Sequence, residues 1–110
     1  MMKQILKFEI ELDENNLPLN IRMHSSDGGA DEDNVKALMV SAWAAKTKET
    51  LRIDLWTKDM PVNEMFIMYH QAMMGMADTL NRSTGRDKLA GALRDYCEFF
   101  AEETEIKGTK

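Results

Sequence analysis

Cysteine occurs once in the 110-residue chain, at Cys97, which excludes an internal disulfide framework and any cysteine-cluster metal site. Histidine occurs twice, at His24 and His70, far apart in sequence. No segment carries a Lys/Arg stripe, and the net charge is −5, which argues against nucleic acid as a partner. No stretch approaches the roughly 18 apolar residues a membrane span needs, so direct insertion into a bilayer is not expected. The opening MMKQILKFEIELDENN breaks its apolar residues with Lys3, Lys7, Glu9 and Glu11, and this excludes a signal-peptide core. The expected location is the cytoplasm. There is no glycine-rich phosphate loop, no serine elbow, no internal repeat and no low-complexity tract.

What remains is the composition of a folded protein, 44% hydrophobic and 30% charged, on a chain long enough for one modest core. Leu6, Phe8, Ile10 and Leu12 alternate with Lys7, Glu9 and Glu11, the period of a half-buried strand. Asp13-Glu-Asn-Asn-Leu-Pro18 is a turn, and Leu19, Ile21 and Met23 mark a second strand. Pairing Leu12 with Leu19 sets Ile10 against Ile21, Phe8 against Met23 and Glu9 against Arg22. Asp31, Glu32 and Asp33 suit a helix N-terminus, and Val35, Leu38, Met39, Ala42 and Trp43 follow at helical spacing. Leu51, Ile53 and Leu55 alternate with Arg52, Asp54 and Trp56 as a third strand.

Pro61 fits the first turn of a long helix ending near Arg82, with Val62, Met65, Phe66, Tyr69, Met73, Met76 and Leu80 on its apolar stripe. Ser83-Thr-Gly breaks it, and Thr84 with Asp87 resembles a capping box for a last helix carrying Leu89, Leu93, Tyr96, Cys97 and Phe100. Acids near the C-terminus of that helix oppose its dipole. The expected fold is therefore α+β, in the order ββαβαα. A right-handed crossover through the first helix gives a three-stranded antiparallel sheet of order 2-1-3, covered on one face by helices. Residues 1–103 form a single domain in this reading, and residues 104–110 a frayed tail.

Candidate chemistry is sparse. The acids after His24 lack the spacing of a calcium loop, so helix-capping acids explain them and no metal or cofactor is expected. Cys97 falls within an apolar stripe, where a buried inert thiol is the usual outcome. No catalytic constellation is apparent, so the chain is not expected to be an enzyme. Ten methionines are unusual. On the long helix Ile67 and Met74, seven apart, lie off the main stripe. Either this helix is an inner one, or Ile67 and Met74 form an open strip for a partner or a homodimer.

The junction IDLWTKDMPVNEM raises the clearest question of function. Alternation turns Trp56 away from Leu51, Ile53 and Leu55. Order 2-1-3 would seat it beside Ile5, near Lys7 and His24, as an anchor for a protein partner. The competing reading makes Trp56 a plug under the start of the long helix. Thr57 and Asp59 read as caps of that helix, and Lys58 as a loose partner of Glu64 or a free cation.

IDLWTKDMPVNEM, continued through MGMADTLNRSTGRDK, closely resembles the small gliding-motility GldC-like proteins of Bacteroidota, and LDENNLP with the strand after it is similar to them too. The resemblance covers nearly the whole chain and is densest from Leu51 to Lys88. It implies a non-enzymatic, cytoplasmic accessory protein of the gliding apparatus, linked to type IX secretion and acting by protein–protein interaction. Trp56, Lys58, Asp59, Met60, Pro61 and Glu64 match its most distinctive stretch. The alternative is a small-molecule-binding domain or enzyme with a pocket between sheet and helices.

Overall fold

The alternation near the N-terminus does form a strand. In the computed structural model, which describes residues 2–29 and 31–106, β1 (Leu6–Leu12) pairs antiparallel with β2 (Pro18–Ser25). Phe8 faces Met23, Glu9 faces Arg22 and Ile10 faces Ile21, the register expected from the apolar pattern. A bulge between Glu11 and Leu12 then sets Leu12 opposite Pro18 instead of Leu19. β3 (Glu32–Val35) adds to the other side of β2, with Val35 opposite Ile21. Ile21 thus has an aliphatic neighbour on each side, and it is fully buried.

The helix expected from Val35 to Trp43 is absent. Its residues form the end of β3 and then β4 (Ala37–Ala44), which pairs with β5 (Glu49–Trp56). The segment satisfied two periods at once. Val35, Leu38, Met39, Ala42 and Trp43 have helical spacing, but Leu38, Val40 and Ala42 also alternate. Antiparallel pairing sets those three directly against Leu55, Ile53 and Leu51, three aliphatic cross-strand pairs that a helix would forfeit. The loop between the strands ends on Lys48 in the left-handed region, φ 57°, with its N–H on the Ala44 carbonyl at 2.8 Å.

Losing that helix removes the crossover, and with it the order 2-1-3. The strand bearing Leu51–Leu55 follows β4 through a tight hairpin and pairs there, never beside β1. The chain is α+β, as expected, but its antiparallel strands form a three-stranded sheet, β1-β2-β3, and a two-stranded one, β4-β5. Two helices follow the strands where three helices were expected. The chain also divides at Met60 into two compact units, residues 1–60 and 61–110.

In the second unit, Pro61 is the N-cap of α1 (Val62–Thr84). Gly85 ends it with φ 68° and its N–H on the Asn81 carbonyl, a conformation in which only glycine is unstrained. The Thr84–Asp87 capping box does not form. Thr84 is still helical, its hydroxyl donating back to the Leu80 carbonyl at 2.7 Å and accepting from the Arg86 N–H. α2 (Asp87–Glu103) turns Ala90, Cys97 and Ala101 inward. Phe66 meets Phe100 edge-on at 6.0 Å, and Arg94 reaches Asp78 at 2.8 Å. With one neighbouring helix in the unit, the buried stripe of α1 is narrow. Ala77 is fully buried, while Val62 and Met76 stay exposed. Burial raises the Cys97 thiol above its ordinary pKa.

The C-terminus of α2 is closed more firmly than its acids suggest. The Glu105 N–H bonds Glu102, the Ile106 N–H bonds Ala101, and Glu105 takes φ 59°, together a Schellman motif. Ile106 is buried and pins the turn. Of the tail expected to fray, residues 104–106 are held in this motif, and residues 107–110 lie outside the described residues.

Candidate functional site

The residues after Trp56 are tied into the sheets by their backbone. The Thr57 N–H continues the β4–β5 ladder onto the Lys36 carbonyl at 2.7 Å, and the Lys58 N–H reaches the Pro18 carbonyl at 3.1 Å. Thr57 is 1% exposed, and its hydroxyl donates to Asp59 Oδ1 at 2.7 Å. Asp59 Oδ2 receives Lys36 Nζ at 2.7 Å. These bonds, to Lys36 first and Thr57 second, hold the Asp59 carboxyl below its ordinary pKa. The side chains of Thr57 and Asp59 are thus spent on each other and on Lys36, and α1 begins on Pro61 without a side-chain cap bond. They lock the end of β5 to the segment joining β3 and β4.

Lys58 is neither free nor paired with Glu64. Its ammonium lies 2.9 Å from Asp13 Oδ2. Asp13 organises the β1–β2 turn, its Oδ1 accepting from the N–H groups of Asn15 at 2.8 Å and Leu17 at 3.0 Å. Its side chain is 10% exposed. Lys58 foremost, then the two backbone donors, bring the carboxyl from an ordinary 3.8 down to about 2. An Asp opening a turn is a familiar sequence signal, but nothing local pointed from it to a lysine 45 positions away.

The sign of the resulting pH dependence is fixed. Between about pH 3.8 and 2 the unfolded chain binds a proton at Asp13 that the folded chain does not. The tie thus stabilises fully above that window and is lost as pH falls through it. Asp13→Asn keeps an acceptor for the turn and removes the charge. Its urea midpoint is expected to lie below wild type at neutral pH, with the difference closing toward pH 2. An equal gap at both ends would show that Lys58 and Asp13 contribute nothing as an ion pair.

Trp56 stands on this fixed backbone with 54% of its surface exposed. With Leu17, Pro18, Asp54, Leu55 and Lys58 it lines a groove of about 280 Å³. The walls are an indole, two leucines and a proline, and the charged rim is Asp54 and Lys58. The order 2-1-3 had put Ile5 beside Trp56. Ile5 instead sits at the opposite end of the β1–β2 hairpin from Leu17 and Pro18, exchanging bonds with Ser26. Lys7 is there too, opposite His24, and His24 lies 3.6 Å from Glu9 and 3.4 Å from Asp31.

Of the remaining candidate residues, Met60 is half-buried, its N–H on the Thr57 carbonyl. Glu64 is exposed in the first turn of α1, the end that favours an acid. Ile67 and Met74 are half-buried on α1. The structure thus brings Trp56 and Lys58 together around the groove, with Asp59 bracing it, and leaves Ile5 at the other end of the hairpin; Ile67 and Met74 belong to the helical unit. No local pattern sets Leu17 and Pro18 beside Trp56, or Asp13 beside Lys58, because both placements depend on the true strand pairing. Among the described residues no cluster of three His, Cys, Asp or Glu side chains is placed to hold a metal ion, and no helix is long and apolar enough to cross a membrane.

No curated protein and no solved structure matches the chain. A family model does, that of the gliding motility-associated GldC-like proteins, over residues 18–106. The match takes in Pro18 and the whole run Asp54–Lys58 of the groove, together with both helices. The chain belongs to the GldC-like family, which is associated with gliding motility.

Proposed function

We propose that the chain is a non-enzymatic accessory protein of the gliding machinery, working in the cytoplasm by holding another protein component of that apparatus. In this reading the apparatus is the one linked to type IX secretion in Bacteroidota. The observation that carries the proposal is Trp56, half exposed over an apolar groove on a backbone that Thr57, Lys58 and Asp59 hold in place. Rigid aromatic anchors beside a groove are what interface hot spots are made of, because little freedom remains to be lost on binding. Lys58 on the rim would orient the partner.

The test uses gliding cells carrying a photo-crosslinking amino acid at Leu17, on the groove wall. A single adduct with a gliding component is expected. Trp56→Ala should remove it and reduce colony spreading at unchanged cellular abundance, the loss amounting to about 2 kcal/mol or roughly 30-fold in affinity. An adduct that survives Trp56→Ala undiminished would sink the reading.

A further inference from the structure

The outer edge of β5 is unpaired among the described residues as far as Trp56, since β4 and β5 form a sheet of two strands; just beyond it the Lys58 N–H is taken by the Pro18 carbonyl. The Thr57 N–H bonds Lys36 across the β4–β5 ladder. In an antiparallel ladder inward and outward groups alternate, so Leu55, Ile53 and Leu51 also bond β4. Thr50, Arg52, Asp54 and Trp56 therefore turn their N–H and C=O groups to the open edge. β5 has no proline, no lysine and no bulge, so the charged side chains Glu49, Arg52 and Asp54 are what select its edge partner. Leu51 and Ile53 are 59% and 54% exposed along it.

The sequence of this edge is complementary to itself. A two-fold axis through Ile53 sets Ile53 against Ile53 of a second copy. Each Arg52 then faces the other copy's Asp54, each Leu51 faces Leu55, and Thr50 faces Trp56. Arg52 and Asp54 already lie on one face of the strand, 2.8 Å apart. Across the axis the arrangement becomes a ladder of four alternating charges. The outward backbone groups fall on the Arg52–Asp54 and Thr50–Trp56 pairs, as hydrogen-bonded antiparallel positions require. A shift of the axis by one residue, to Arg52 or Asp54, would put like charges in register, which is destabilising.

β1 offers a second open edge, on which an axis at Phe8 would set Lys7 against Glu9. That edge is guarded by Lys7, and Glu9 is already shared between Lys7 and His24. β4 has no charge to fix a register. We propose that two copies of the chain pair antiparallel through their β5 edges about Ile53, joining two β4–β5 hairpins into a four-stranded sheet. Such a contact is isologous and closes on itself, so it gives a dimer without further growth.

Light scattering on the purified chain at micromolar concentration is expected to give about twice the 12.6 kDa of one chain. Arg52→Asp and Asp54→Arg, each alone, place like charges across the axis twice and should run as monomers. Mixing the two variants restores opposite charges at both positions and should regenerate the dimer. Neither variant keeps the pair within its own chain, so rescue on mixing reports the contact between copies. Monomeric wild type, dimeric single variants, or a mixture that stays monomeric would each overturn the proposal.

Amide exchange on the wild type provides a measurement that no variant can spoil by misfolding. Protection of the Arg52 and Asp54 N–H groups that rises with protein concentration is expected. Protection appearing at Leu6, Phe8 and Ile10 instead, or dimerisation abolished by Met74→Glu with the β5 amides unprotected, would move the contact to β1 or to the long helix and refute it.

Discussion

Ile21→Ala is expected to destabilise the strand-bearing unit by about 2–5 kcal/mol, the range for removing a large aliphatic side chain from a close-packed site. Few side chains in this unit are fully buried, and Ile21 is the one large hydrophobe among them. It is the middle of three cross-strand neighbours, Ile10 on β1 and Val35 on β3. Alanine loses the apolar surface, leaves a void between two strands and lowers β-propensity at the centre of the sheet. Both tryptophans, Trp43 and Trp56, lie in this unit, so indole fluorescence in urea reports its unfolding separately from the helices. Ile10→Ala provides the comparison, since Ile10 is already 38% exposed and should cost less. A change at Ile21 below about 1 kcal/mol, or one no larger than at Ile10, would show that the site collapses around the smaller residue. With total stabilities of about 5–15 kcal/mol typical of domains, the expected loss is a large share of what holds the sheet together.

The same pairing explains how much of the fold could be read from residues alone. The β1–β2 hairpin was legible because one face is apolar and the other charged, so only one register brings Phe8, Ile10 and Ile21 onto one face. α1 was legible from its bounds, a proline before it and Gly85 after it. The β3–β4 segment was not. From Val35 to Ala44 nearly every residue is apolar, and such a run fits helix and strand equally. What decides it is the partner, the Leu51–Leu55 alternation one hairpin further on.

That single ambiguity propagated into the site. Trp56 could be turned away from Leu51, Ile53 and Leu55 by alternation, and its exposed indole is on that side. Its neighbours depended on strand order, so Ile5 took the place that Leu17 and Pro18 occupy. Thr57 and Asp59 precede a helix and look like caps, yet their bonds run back to Lys36, because the β4–β5 ladder continues one residue past the strand. The Lys58–Asp13 contact lies beyond any local pattern, for it joins a turn to a strand end far along the chain.

In the helical unit the largest effect is expected from adding volume. Ala77, Ala90 and Cys97 are fully buried, so the helices approach each other over small side chains. Ala90→Leu inserts three carbon atoms where no exposed surface remains to receive them. The side chain must leave its preferred rotamer or push the helices apart, at a cost of about 1–3 kcal/mol. Phe66 and Phe100 would resist that displacement, being in edge-to-face contact across the same two helices. The cost should appear as a melting point several degrees lower for the helical ellipticity at 222 nm. Ala92→Leu, on the exposed side of α2, adds the same atoms without crowding and should leave the melt within about 0.5 kcal/mol of wild type. If Ala90→Leu raised the melting point, the seam would contain unused space, and Ala90 would be small for a reason other than the spacing of the helices.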